Sequence, residues 1–106
     1  MSEITTAEAN ARRNTATILD VREEAETAEG MIPGAVHIPL GQLASRLGEL
    51  DAGRPVITVC ASGNRSAHAA VDLLVAGFRA DTMAGGMTAW ETEGRPTHTL
   101  SNPGFS

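Results

Sequence analysis

The sequence predicts an α/β domain built on a mainly parallel sheet, and three observations carry that prediction. Short apolar and β-branched runs alternate with segments of helical periodicity along the chain, the pattern of strand–helix–strand units. Val56-Ile57-Thr58-Val59 is a nearly unbroken apolar run, as expected of a strand buried on both faces. It passes through a small, polar loop straight into a helical stretch. In such sheets a site lies off the carboxyl ends of the strands, and Cys60 falls there.

In chain order, Thr5 and Glu8 have capping-box spacing for a short helix to about Arg13. Residues 16–21 (Ala-Thr-Ile-Leu-Asp-Val) read as a short strand leading into Arg22. The stretch 23–29 holds Glu23, Glu24, Glu26 and Glu29 and reads as an exposed turn or short helical piece with a solvated acidic face. Gly30-Met31-Ile32-Pro33-Gly34-Ala35 is a punctuated connector into a strand at 36–38. Leu40, Leu43, Leu47 and Leu50 recur at three to four residues and predict an amphipathic helix ending near Gly53.

After the central strand, Ala67, Ala70, Val71, Leu74 and Val75 recur at helical spacing and form the expected buried stripe of a second helix, which Gly77 stops. Residues 78–83 predict another strand, and Gly85-Gly86-Met87-Thr88-Ala89-Trp90 a turn opening a last short helix. The domain is expected to span 1–94, with 95–106 a loosely held tail because it has two prolines and no periodicity.

The chemistry gathers at Cys60-Ala61-Ser62-Gly63-Asn64-Arg65-Ser66. Amides of a tight loop and of a helix's first turn point toward one spot and make a concave anion site. A cysteine held there, beside the guanidinium of Arg65, has its pKa drawn from about 8.5 to about 3.5–7.5. The alternative is a small buried side chain at a strand end. Gly63 and Arg65 favour the reactive reading, so Cys60 is expected to be a nucleophile.

Composition excludes several function classes. The net charge is −5, with thirteen acids against eight bases, which argues against nucleic acid or an anionic membrane as partner. Every basic residue is arginine, which removes Schiff-base chemistry and the phosphate-loop lysine. With no tyrosine and few aromatics, base-stacking platforms are not expected. One cysteine forbids an internal disulfide, and His37, His68 and His98 share no metal-ligand spacing, so no metal site is expected. No apolar run approaches the roughly 20 residues of a membrane span, and residues 1–15 lack the apolar core of a secretion signal. A reduced, cytoplasmic location is the expectation.

Four motifs, in order, carry a family resemblance: Asp20-Val21-Arg22; Gly30-Met31-Ile32-Pro33-Gly34-Ala35 with Ile38-Pro39; the loop from Cys60 to Ser66; and Gly85-Gly86-Met87-Thr88-Ala89-Trp90. Along nearly its whole length the chain resembles a single-domain rhodanese, a sulfurtransferase. The resemblance implies a five-stranded parallel sheet wrapped by helices. It also implies that Cys60 accepts sulfane sulfur as a persulfide, with the loop amides from Ala61 through Ser62, Gly63 and Asn64 to Arg65 cradling the outer sulfur. A donor such as thiosulfate and a thiol or cyanide acceptor would be its partners, and no cofactor is implied. The alternative is a sulfur-carrier or relay module that passes sulfur to a protein partner within a complex, with slow free turnover.

Cys60 and Arg65 are separated by four residues, whereas the related cysteine-based phosphatases have a longer loop sized for phosphate. Phosphatase chemistry would also need a general acid, for which Asp81 and Glu91 are the available carboxyls. Ala61 stands where many thiosulfate-using relatives carry a basic residue, leaving Arg65 as the loop's only cation. Met31 and Thr27 replace a histidine and an aromatic common in the family and read as packing substitutions. Asp20 and Arg22 are expected either to brace the active loop or to form a surface ion pair, with the brace favoured. Ser66 either donates to the loop or persulfide or satisfies the first turn of its helix. Trp90 reads as core, and His68 as a solvated helix residue.

Overall fold

The computed structural model describes residues 1–99. Five strands lie parallel in the order β1 (Glu3–Ile4), β5 (Ala80–Met83), β4 (Val56–Val59), β2 (Thr17–Asp20), β3 (Val36–His37). Four helices accompany them: α1 (Thr6–Ala11), α2 (Glu24–Thr27), α3 (Asn64–Val75) and α4 (Gly86–Thr92). The central strand β4 is buried along its whole length. It pairs with β2 from Thr17↔Val56 to Asp20↔Val59 and with β5 from Val56↔Ala80 to Thr58↔Thr82. The five-stranded parallel α/β sheet expected from the sequence is therefore present.

Period-two alternation divides the core between the two faces of the sheet. Leu19, Val56, Cys60 and Ala80 meet Ala69, Ala70 and Leu73 of α3 on one face. Ile18, Ile57, Val59 and Met83 meet Ala9, Met87 and Trp90 from α1 and α4 on the other. Thr5 caps α1, its side chain accepting from Glu8 N–H at 3.0 Å, although the helix ends at Ala11 rather than near Arg13. The edge strand β1 is absent from the sequence expectation because two residues carry no readable alternation.

Two expectations need correction. The amphipathic helix expected over 40–53 is instead two 3-10 turns, Leu40–Gln42 and Leu47–Glu49. Leu43 and Leu50 are buried and Leu40 and Leu47 pack against the same cluster, so the apolar face is real. The three-residue offsets 40/43 and 47/50 match the 3-10 period, while Gly41 and Gly48 each disfavour an α-helix by about 1 kcal/mol relative to alanine.

The second correction concerns α3. Its buried face is Ser66, Ala69, Ala70 and Leu73, and Val71, Leu74 and Val75 are 47%, 40% and 84% exposed. The most apolar stripe of this helix faces outward. The expected tail begins within the described residues. Residues 95–99 are described and dock on the domain: Trp90 Nε1 donates to Pro96 O at 2.7 Å, and Met31 and His98 form an antiparallel bridge. Residues 100–106 of that expected tail lie outside the described residues. Among the described residues no helix is long and apolar enough to cross a membrane.

The orientation of α3 is directly testable by urea denaturation. Leu73→Ala should cost about 2–5 kcal/mol, the usual range for truncating a buried leucine. Val75→Ser should stay within about 0.5 kcal/mol, as for a surface site. Equal effects at the two positions would contradict the observed packing.

Candidate active site

Strand β4 ends by delivering Cys60 to the carboxyl edge of the sheet, where the chain turns through three residues and enters α3. Gly63 makes the turn with φ +116, a conformation L side chains rarely adopt. That twist aims the Gly63 N–H at the cysteine, donating to Sγ at 3.0 Å, and Ser66 Oγ lies 3.4 Å from the same sulfur. Cys60 is only 1% exposed. Burial pushes its thiol up, but the Ser66 hydroxyl and the backbone N–H groups of Ser66, Gly63 and Ser62 outweigh it. The net effect holds the thiol below its ordinary value.

The loop is clamped from behind by the start of α4. Met87 N–H donates to Cys60 O at 2.8 Å and Thr88 N–H to Ala61 O at 3.0 Å, so the first-turn donors of one helix satisfy the carbonyls of the cysteine loop. The approach is so close that a Cβ on Gly86 would meet Cys60 O at 2.4 Å and the Ala61 carbonyl at 2.6 Å. Gly86 also has φ +57. The second glycine of the Gly85-Gly86 pair is therefore what lets α4 hold the loop.

Arg65 does not reach toward the sulfur as its sole counter-charge. Its guanidinium makes two bonds to Glu26 of α2, Nη1 to Oε1 at 2.6 Å and Nη2 to Oε2 at 2.8 Å. The arginine holds the Glu26 carboxyl down to about 2, and the carboxylate in turn raises Arg65 above its ordinary value. Of the expected influences on the sulfur, the amides lie against it together with the Ser66 hydroxyl, while the guanidinium, bonded to Glu26, is also raised by its interaction with charge on Cys60. Glu26 is the residue the sequence reading passed over, as one glutamate of an acidic stretch. A half-buried lone cation in the loop required an anionic partner, but nothing in the sequence chose among the four glutamates.

Asp20 and Arg22 are a buried pair rather than a surface one. Arg22 Nε donates to Asp20 Oδ1 at 3.0 Å and Nη2 to Oδ2 at 2.8 Å. The same guanidinium donates to Gly30 O at 2.7 Å and to Glu26 O at 3.5 Å. The pair therefore fixes the segment carrying α2, whose Glu26 holds Arg65 of the cysteine loop, while Asp20 itself lies in register with Val59 beside Cys60.

The remaining candidates lie apart from the sulfur. Asn64 and Ser62 are exposed, and Ala61 is half-buried. His37 Nε2 is 2.7 Å from Arg22 O, and His68 is exposed beside Asp72. Asp81 bonds Ser2 N–H and pairs with Arg12 at the sheet edge, and Glu91 is exposed, so neither is placed as a general acid for Cys60. Met31 and Thr27 are buried, as packing residues would be. Trp90 is fully buried, with Arg95 stacked 5.8 Å from its ring. No group of metal-ligating side chains occurs among the described residues.

Two predictions follow from this geometry. The depressed carboxyl of Glu26 contributes stability that is complete above its ordinary value of 4.5 and is lost as pH falls from there to about 2. The gap in unfolding midpoint between the native protein and Glu26→Gln should therefore be constant above pH 5 and close on acidification; a gap independent of pH down to about 2 would contradict the pairing. Gly86→Ala should destabilise by at least the roughly 1–2 kcal/mol of a left-handed L-residue, with altered amide signals of Cys60 and Ala61 in nuclear magnetic resonance spectra. Unchanged loop signals would contradict the close contact.

Comparison with known proteins agrees with the fold and the motifs. The sequence profile of the Rhodanese-like domain matches residues 4–93. YtwF of Bacillus subtilis is 43% identical over 79 residues, 74% of this chain and 77% of that one. The thiosulfate sulfurtransferase GlpE of Pseudomonas fluorescens is 34% identical over 82 residues, 76% of this chain and 75% of that one. The crystal structure of a rhodanese-related protein from Thermoplasma volcanium superposes with a TM-score of 0.88 at 32% identity, covering 92% of this chain and 98% of that one. With the profile spanning nearly the whole chain and the loop, its glycine clamp and the sheet all in place, the chain belongs to the rhodanese-like domain family.

Proposed function

We propose that this rhodanese-type sulfurtransferase moves sulfane sulfur from thiosulfate or a similar donor to a thiol or cyanide acceptor through a persulfide on Cys60. The observation that carries the reading is the buried Cys60 sulfur with the Gly63 N–H at 3.0 Å and the Ser66 hydroxyl at 3.4 Å, at the carboxyl end of the central strand. In the first half-reaction the Cys60 thiolate attacks the outer sulfur of thiosulfate. The donor S–S bond breaks, its electron pair leaves with sulfite, and a Cys60–S–S⁻ anion remains. Preorganised donors in the loop from Ala61 to Arg65 stabilise that anion at no reorganisation cost, the logic of an oxyanion hole. In the second half-reaction an acceptor thiolate or cyanide attacks the outer sulfur, and the electron pair of the breaking bond returns to Cys60. Donor and acceptor never meet, so the kinetics are double displacement, and the cycle calls on no cofactor. Asp20 and Arg22 support the loop at one remove, through α2 and Glu26.

A relay within a protein complex, with slow free turnover, is the second reading. It is favoured by one feature: the only cation of the loop is already held by Glu26, which leaves little to attract a dianionic donor. With a net charge of −5, nucleic acid and anionic membranes are poor partners, and a reduced cytoplasm suits the free thiol.

Intact mass after brief incubation with thiosulfate, without reductant, tests the persulfide. The native protein should gain one sulfur atom and lose it to cyanide with release of thiocyanate, while Cys60→Ser gains nothing. A free thiol that never gains sulfur from thiosulfate or from an organic persulfide overturns the proposal. Loading by a persulfide but not by thiosulfate selects the relay.

A further inference from the structure

Ser66 is held by two threonines that the proposed chemistry does not use. Thr58 and Thr82 are register partners on β4 and β5, on the sheet face that α3 covers. Both are buried, at 0% and 2% exposure, and Ser66 is at 0%. Thr58 Oγ1 donates to the Ser66 backbone carbonyl at 2.7 Å, and Thr82 Oγ1 lies 2.8 Å from Ser66 Oγ. Ser66 Oγ is in turn 3.4 Å from Cys60 Sγ and 3.2 Å from Gly63 O. A chain of buried hydroxyls thus runs from β5 through the first turn of α3 to the sulfur.

Proton bookkeeping gives the chain a direction. Thr82 has one proton and two acceptors in reach, Ser66 Oγ at 2.8 Å and Thr58 O at 3.5 Å, so its good bond is to Ser66. With Thr82 donating, the single Ser66 proton must go to Gly63 O or to Sγ. Gly63 O already accepts from Ala67 N–H at 3.2 Å, so it is not orphaned when the Ser66 proton turns to the sulfur. Accepting from Thr82 also polarises the Ser66 hydroxyl into a stronger donor.

We propose that Thr82 is a positioning residue that aims the Ser66 hydroxyl at Cys60 Sγ and so favours its anionic form. The inference rests on Cys60 being the reactive group of the proposed sulfur transfer. Other influences on the sulfur are accounted for. Arg65 of α3 is paired with Glu26 of α2 and its charge also acts on Cys60, and Asp20 is paired with Arg22 beside β2. On β5, Asp81 is turned to Arg12; on α4 and just beyond it, Glu91 is exposed and Glu93 pairs with Arg95; beyond β2, His37 of β3 contacts Arg22 O. None of these contacts passes through Thr82.

The test is the rate of alkylation of Cys60 by iodoacetamide as a function of pH, which reads the thiolate whether or not the protein transfers sulfur. Thr82→Val keeps the shape of the side chain and removes its hydroxyl. It should slow alkylation below the midpoint by about two- to tenfold, the worth of one hydrogen bond, and move the midpoint upward. Thr82→Ser should restore the native profile, and adding Thr82→Val to Ser66→Ala should change nothing further. Should valine at 82 prevent folding, Thr82→Ala makes the same comparison with Thr82→Ser. A native profile without the hydroxyl, an equal effect from serine, or an equal effect with Ser66 already removed would each overturn the proposal. Loss of sulfur loading with the alkylation pattern intact would instead count against the proposed reaction alone.

Discussion

The site depends first on a backbone contact, the seating of α4 against the carbonyls of Cys60 and Ala61. Two carbonyls at the end of a buried strand would otherwise be orphaned, and the first-turn N–H groups of Met87 and Thr88 satisfy them. The contact is possible only because residue 86 has no Cβ, since one would come within 2.4 Å of Cys60 O. Much of the other face of the sheet follows from this placement. With the start of α4 fixed, Met87 and Trp90 fall into the cluster around Ile57, Val59 and Met83. Trp90 then offers its N–H to Pro96 O, which seats the chain beyond the helix.

The charges around the loop form a sequence of holds. Asp20 and Arg22 are almost completely buried, a placement that needs matched hydrogen bonds, and every Arg22 side-chain nitrogen has a partner because the guanidinium also bonds carbonyls of the α2 segment. That segment presents Glu26, and Glu26 holds Arg65. A guanidinium gripped at both terminal nitrogens is a rigid wall of the loop more than a mobile anion receptor. The donors that lie against the Cys60 sulfur are short-range and neutral, a hydroxyl and backbone N–H groups. Such donors are fixed by the same turn that fixes the sulfur, so they need not move when charge develops.

The geometry of α3 shows how the site overrides simple hydrophobic patterning. Ser66 must face the sheet to touch Cys60, Thr58 and Thr82. On a helix the residues sharing its face are three, four and seven further on, and these are Ala69, Ala70 and Leu73. The small side chains of the two alanines let the helix lie close to β4 and β5. Val71, Leu74 and Val75 are consequently turned outward, although they form the more apolar stripe.

Read from residues alone, the alternation of strands and helices, the buried run at 56–59 and the loop from Cys60 to Ser66 were enough to determine the fold class and to single out Cys60 and the glycine-assisted turn beside it. These are local facts: a period, a residue type and a spacing, each legible within a few neighbours. The Thr5 cap was legible for the same reason. Tertiary structure alone decided that the leucines from 40 to 50 build 3-10 turns, that Glu26 among four glutamates answers Arg65, and that Thr82, sixteen residues from Ser66, shares its hydrogen bond. Each of these depends on which distant atom lies opposite once strands pair and helices dock. Sequence separation carries no such information, because the partner is chosen by the geometry of the closed sheet.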